Sequence, residues 1–405
     1  MARVAAQLTN FTGGEFSPRL DGRNDLAKYS SACKTLENFV IYPHGSAARR
    51  SGTQFVSEVK DSTKSTRLIP FEFSTTQTYM LEFGDQYIRF YKDNGQILSG
   101  GVAYEISSPY LEAELFQIKY AQSADVMYIC HPNHAVRKLS RTGHTSWTLT
   151  EVDFQNGPFQ DHNLTSTTIT ASHTSVGSSG NLTLSSTTGV NSDQGWLSTD
   201  VGRLVHLKDG HYKITSVTSN LVAVATSIVA PSSASATTDF ALGSFSDTTG
   251  HPSCVTFFEQ RLVFAGTTAQ PQTIFFSKSG DYENMDDNYH GTVADDDAII
   301  YTIASNQVNA IRFMTATRTL IIGTAGGEFT VSGGATDAAI TPTNILIKKQ
   351  SNHGAANLDA VAAGNATLFV QRAKRKVREL AYNFDVDGYL APDMTILAEH
   401  ISEGG

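Results

Sequence analysis

Residues 252–266 read PSCVTFFEQRLVFAG and, after a polar break, residues 272–280 read QTIFFSKSG. Val255, Phe257 and Phe258 make one apolar run, Gln260-Arg261 interrupts it, Leu262 to Phe264 make a second, and Ile274 to Phe276 a third. All three runs are rich in β-branched and aromatic residues, so the stretch reads as strand, tight turn, strand, loop, strand. That is an antiparallel meander.

The same grammar recurs outward from this copy. Residues 67–92 contain RLIPFEF, YMLEFG and YIRFYK; residues 115–139 contain LFQIKYA, DVMYICHP and AVRKL. Residues 309–334 contain NAIRFM, RTLIIGTAGG and EFTVSGG, and residues 359–383 contain DAVAAG, ATLFVQ and VRELAYN. Five copies at a spacing of roughly 40 to 50 residues, once one insertion is removed, indicate blade-type repeats. The expected fold is all-β: a β-propeller-like body of repeated antiparallel blades, with an inserted small β-sandwich or barrel and a short N-terminal helix.

The insertion is marked by texture. From about Gln160 to Gly243 the chain turns Ser/Thr-rich, and Leu204, Val205, Leu207, Tyr212, Ile214, Val217 and Val224 alternate around a hairpin expected at Asp209-Gly210. Upstream, Asn24 is placed to cap a helix through about Asn38, because Leu26, Tyr29, Cys33 and Leu36 fall at offsets of three and four. The expected organisation is residues 1–60 as arm, helix and hairpin for assembly contacts, 61–159 as the first blades, 160–244 as the inserted β domain and 245–405 as further blades. Another repeat is expected where the sequence stops.

Composition narrows the function. Only 17% of the 405 residues are charged and the net charge is −9, which disfavours a duplex-DNA binder driven by counterion release. Cys33, Cys130 and Cys254 are odd in number and set in apolar runs, so buried thiols are expected rather than a disulfide framework. No secretory leader opens the chain and no apolar run approaches the roughly 20 residues of a membrane helix, so synthesis in a cytoplasm is expected.

Candidate chemistry is sparse. Asp286, Asp287, Asp295, Asp296 and Asp297 lie in one acidic loop, and the last three are the weak candidates for a hard cation; the spacing is not that of an EF-hand loop. No nucleophile elbow, zinc-protease helix or phosphate loop is present. His131, His134, His144, His206, His211 and His251 fall in turns or strand ends, none paired at helical spacing, and Glu82, Asp85 and Asp125 are generic carboxylates. The expectation is therefore no catalytic residue, no cofactor and no enzymatic activity. Arg49 and Arg50, and the run Arg372, Lys374, Arg375, Lys376 and Arg378, are candidates for subunit or partner contact.

The phrases NFTGGEFSPRLDGRNDLAKY, LENFVIYPHGSAARRSGTQFV, RLIPFEFS, ELFQIKYAQSADVMYICHP and VTFFEQRLVFAGTTAQPQTIFFSKSGDYENM resemble the tail nozzle proteins of short-tailed bacteriophages, also called tail tubular protein B or tail hub proteins. The resemblance implies a structural virion protein of the tail. It implies a homohexameric ring below the portal adaptor, docked fibres or spikes, and phage DNA passing without specific binding. The alternative expectation is a carbohydrate-binding or depolymerising receptor-recognition propeller.

Overall fold

In the computed structural model, which describes residues 7–305, 309–334 and 338–404, the central meander becomes a four-stranded antiparallel sheet. Its strands, in spatial order, are Cys254–Phe258, Arg261–Ala265, Thr273–Phe276 and Ile299–Thr302 (sheet III). The other four repeats build the same object. Sheet I runs Arg67–Ser74, Gln77–Gly84, Tyr87–Lys92 and Glu105–Ser107, with Gly95–Gln96 as a short fifth strand on Tyr87–Lys92, and sheet II Lys119–Ser123, Val126–His131, His134–Gly143 and Ser146–Glu151. Sheet IV runs Ile311–Ala316, Leu320–Thr324, Gly327–Ser332 and Leu346–Ser351, and sheet V Val361–Ala363, Ala366–Val370, Val377–Asn383 and Gly388–Leu390.

Alternation along each strand sends neighbouring side chains to opposite faces, and both faces of the inner sheets are apolar. Phe264, Val255 and Phe275 join Tyr128, Cys130 and Val136 of sheet II, whereas Val263, Ala265, Ile274 and Phe276 join Leu320, Ile322 and Phe329 of sheet IV. A third core joins sheets I and II, and a fourth, around Phe313, Ile321, Phe369 and Leu380, joins sheets IV and V. The first strands of sheets II, III and IV neighbour one another, which puts them innermost. Lys119 marks the convergence: its buried Nζ bonds the Arg312 carbonyl and lies 3.6 Å from both Cys254 Sγ and Asp359 Oδ1. The body is β-propeller-like, as the repeats imply.

Between sheets II and III the chain leaves to form a six-stranded sheet in the order Ile169–Ala171, Ser179–Leu184, Val222–Val229, Gly210–Ser219, Leu204–Leu207, Phe240–Leu242. Ile169 and Thr237 exchange backbone hydrogen bonds of 2.9 and 3.0 Å, which draws the first strand against the lead-in to the last and curls the sheet into a barrel around Trp196 and Tyr212. Its hairpin turn is Lys208-Asp209, one residue before the expected pair, because Leu207 pairs with Gly210. Arg203, fully buried, clamps the two ends of the insertion: Nε donates to the Gly243 carbonyl and Nη2 to Gln160 Oε1, both at 2.8 Å, while Nη1 bonds Asp200 at 2.9 Å.

The expected helix over residues 24–38 does not form. The segment holds a single 3₁₀ turn, Tyr29–Ser31, and Ala32–Cys33 pairs in parallel with Gly14–Glu15. Leu26, Tyr29, Cys33 and Leu36 are only half-buried, so no core compensates the ordering of a short helix. Local partners take its backbone instead: the Leu36 N–H donates to Glu15 Oε2 at 2.7 Å, and Ser31 Oγ donates to the Lys28 carbonyl.

Trp147, on the outer strand of sheet II, stacks on Phe90 at 4.5 Å and meets Phe71 and Tyr79 edge-on, with its indole N–H donating to the His144 carbonyl. Trp147→Ala is expected to lower the free energy of unfolding by about 3–5 kcal/mol, read from urea denaturation, because the cavity opens between two sheets.

Candidate functional site: a cleft between sheet II and the barrel

The insertion leaves a cleft of about 390 Å³ where the barrel meets sheet II. His134, Arg137, Glu151, Asp153 and Phe154 come from sheet II and the residues after it, Gly202, Leu204 and Lys213 from the barrel, and Phe245, Asp247 and His251 from the return to sheet III. The cations are already countered: Arg137 pairs with Glu151 at 2.8 Å and Lys213 with Asp153 at 2.7 Å. The cleft therefore presents polarity with little net charge.

Two imidazole–carboxylate pairs contribute to it, one whole and the other through its histidine. His251 Nε2 lies 2.9 Å from Asp247 Oδ1, four residues earlier, in a turn where Ser246 Oγ takes the Thr249 N–H and the His251 N–H donates to the Pro132 carbonyl. The ring is buried and its carboxylate exposed. Burial lowers the His251 pKa below the ordinary imidazole value although Asp247 pulls it up, so the ring is a neutral base at pH 7. The second pair is His134 Nε2 with Glu114 Oε2, 2.7 Å apart. Burial would raise the Glu114 carboxyl, but the Leu111 N–H, His134 and Asn133 hold it down, to about 2.

Glu114, His131 and His134 are the set, among the described residues, whose ligand atoms lie within 4.8 Å of one another. Their existing bonds do not suit an ion. The Asn133 N–H donates to His131 Nδ1 at 3.2 Å, which places the proton of the neutral ring on Nε2, whereas a metal-binding histidine needs a lone pair there and a donor on the other nitrogen. Burial keeps His131 neutral, lowering its pKa to about 4. The set is a clasp that fixes the hairpin at 131–134 to the turn Glu112–Gln117.

The other sequence candidates do not join this site. Arg261 takes the carbonyls of Asp295 and Asp297 at 2.7 and 2.6 Å, and Lys278 neutralises the Asp297 carboxylate at 2.7 Å, so that loop is organised by cations of its own chain. Glu82 is held by the hydroxyls of Tyr87 and Tyr91, Asp85 by Lys64 and Asp125 by Arg141. Arg50 donates to Asn38 Oδ1, and Arg49 is exposed. In the 371–376 turn and the strand that follows it, Arg372 reaches the Ala325 carbonyl, Lys376 pairs with Asp393 and Arg378 donates to the Ala391 carbonyl; Lys374 and Arg375 are exposed. The sequence reading missed His251 with Asp247, and their spacing of four within a loop was the available signal.

No protein-family model and no curated protein matches the chain. Solved structures with some likeness include a protein from Lactobacillus plantarum, 13% identical over 79% of this chain and 82% of that one, at a TM-score of 0.33. A candidate 6-phosphogluconolactonase from Bacteroides uniformis is 14% identical over 79% of this chain and 92% of its own, at 0.28. Neither carries the name of a phage tail protein and no family model supports one, so the resemblance to tail nozzle proteins, and the tail function drawn from it, are withdrawn. The expectation of a chain without enzymatic activity is withdrawn with the resemblance; one of the matched structures carries an enzyme's name. The hexameric ring, the adaptor, fibre and DNA partners and the virion location rested on that resemblance alone. At these scores neither match says what this chain does.

Because the folded-state pKa of Glu114 is depressed, its pairing stabilises the fold above the ordinary carboxyl range and is lost as pH falls towards 2. Glu114→Gln is accordingly expected to be less stable than wild type at pH 5 and to converge with it as pH approaches 2, in urea titrations across that range.

Proposed function

We propose that the chain is an enzyme acting on a small polar molecule held in the cleft between sheet II and the barrel, with His251 as general base and Asp247 as the group that orients it. The observation that supports this most is the His251–Asp247 pair on the cleft wall, 2.9 Å apart, with a buried neutral ring and an exposed carboxylate. A carboxylate on one ring nitrogen fixes the tautomer and stabilises the imidazolium that forms when the other nitrogen takes a proton. The reaction class that fits is hydrolysis, with His251 drawing a proton from an attacking water. The cleft has the volume of a small-metabolite site, and Phe154 and Phe245 supply apolar surface beside the ion-paired Arg137 and Lys213.

A panel of small esters, amides and phosphate esters, followed by mass spectrometry, tests this reading. Turnover is expected to fall on the order of 100-fold or more in His251→Gln and less in Asp247→Asn, as for loss of a general base and of its orienting partner. Equal turnover by wild type and His251→Gln would remove His251 from the chemistry.

A further inference from the structure

Four histidines that the sequence scatters over 129 positions, His162 to His290, meet where the barrel touches the propeller. His206 and His211 face each other across the barrel hairpin, in register. His211 Nδ1 lies 3.1 Å from Asn156 Oδ1, His206 Nδ1 lies 3.0 Å from His211 Nε2, and His290 Nε2 lies 3.0 Å from His206 Nε2. At the outer end Asp239 sits 3.5 Å from His290 and 3.4 Å from His162, whose ring stacks on Tyr289 at 3.6 Å. Three pieces of chain are joined: the linker of Asn156 and His162, the barrel, and the loop 281–298 of sheet III.

The hydrogen bonds run one way. Asn156 Oδ1 only accepts, so His211 carries its proton on Nδ1 and accepts on Nε2; His206 then donates from Nδ1 and accepts on Nε2; His290 donates from Nε2. All three rings satisfy the series as neutral imidazoles. One proton on His206 or His211 is accommodated only by reversing the bond to His290, whose Nε2 must then accept and turn its lone pair towards the Asp239 carboxylate 3.5 Å away; a second proton on these rings sets N–H against N–H.

We propose that this series is an acid-released latch that holds the loop 281–298 and the Asn156 linker on the barrel at neutral pH and lets them go when protons enter the inner rings. The facing groups are Asp209 and Asp239 from the barrel, His162 from the linker, and Asp286, Asp287, Tyr289 and His290 from the loop. Burial, helped at His206 by the neighbouring rings, depresses His206 and His211 to about 4. The closed state thus binds fewer protons than the open one between the ordinary imidazole value and about 4, and closure is full above that window and weakens as pH falls through it. Asp287 works the other way, because burial beside Asp286 raises its pKa. The latch is independent of any chemistry in the cleft.

Hydrogen–deuterium exchange of the full chain, corrected for intrinsic rates, tests it. Protection of peptides from residues 281–298 is expected to drop on the order of 100-fold or more between pH 7 and pH 4.5, as two linked imidazoles allow, while sheets I and II keep theirs. His206→Gln, neutral at both pH values, is expected to flatten that response. If that variant does not fold, His290→Gln decides: its loop is expected to exchange faster at pH 7 with a smaller change on acidification. Unchanged protection of the wild-type loop at pH 4.5, or a full acid response in the folded variant, would overturn the latch.

Discussion

A sheet that is apolar on both faces has to be covered twice, and sheet III is such a sheet. Every residue of Arg261–Ala265 and Thr273–Phe276 is buried, with adjacent side chains feeding different cores. Sheets II and IV meet the same requirement, so the five sheets pack face to face in series, with the first strands of sheets II, III and IV turned inward around Lys119. The two end sheets have only one neighbour each in this series, and there apolar residues come to the surface: Leu68 and Met80 on sheet I, Val361 and Leu390 on sheet V.

This constraint is why the body was legible. Middle strands such as LVFA and LIIGT are continuous apolar runs because both their faces are covered, and tight turns set them apart from their neighbours. The N-terminal helix was misread for the complementary reason. Its stripe had the right period, but period alone does not supply a surface to bury it, and Glu15 and Ser31 captured the backbone. The cleft was less legible still. Glu114 and His134 are twenty residues apart, and only the turn at 112–117 lying against the hairpin at 131–134 brings them together.

The insertion is where the scaffold acquires chemistry. Arg203 ties its entry at Gln160 to its exit at Gly243, so the barrel meets the propeller in a defined pose rather than as a tethered domain. That pose creates two polar junctions, the cleft beside His251 and the histidine series ending at Asn156. Both contain a buried imidazole whose pKa burial lowers and which has a fixed partner, His211 in the series and His251 in the cleft. Polar groups held this way are costly to leave unpaired, so each junction is either made in full or opened.

Double-mutant cycles on two neighbouring residues of sheet III test the central claim most directly, read from urea denaturation. If adjacent side chains enter different cores, Phe264→Ala couples to Val136→Ala of sheet II by about 0.5–3 kcal/mol, whereas Val263→Ala and Val136→Ala add within about 0.5 kcal/mol. Equal coupling of Val263 and Phe264 to Val136 would place both side chains on one face and contradict the packing of sheets around a common axis.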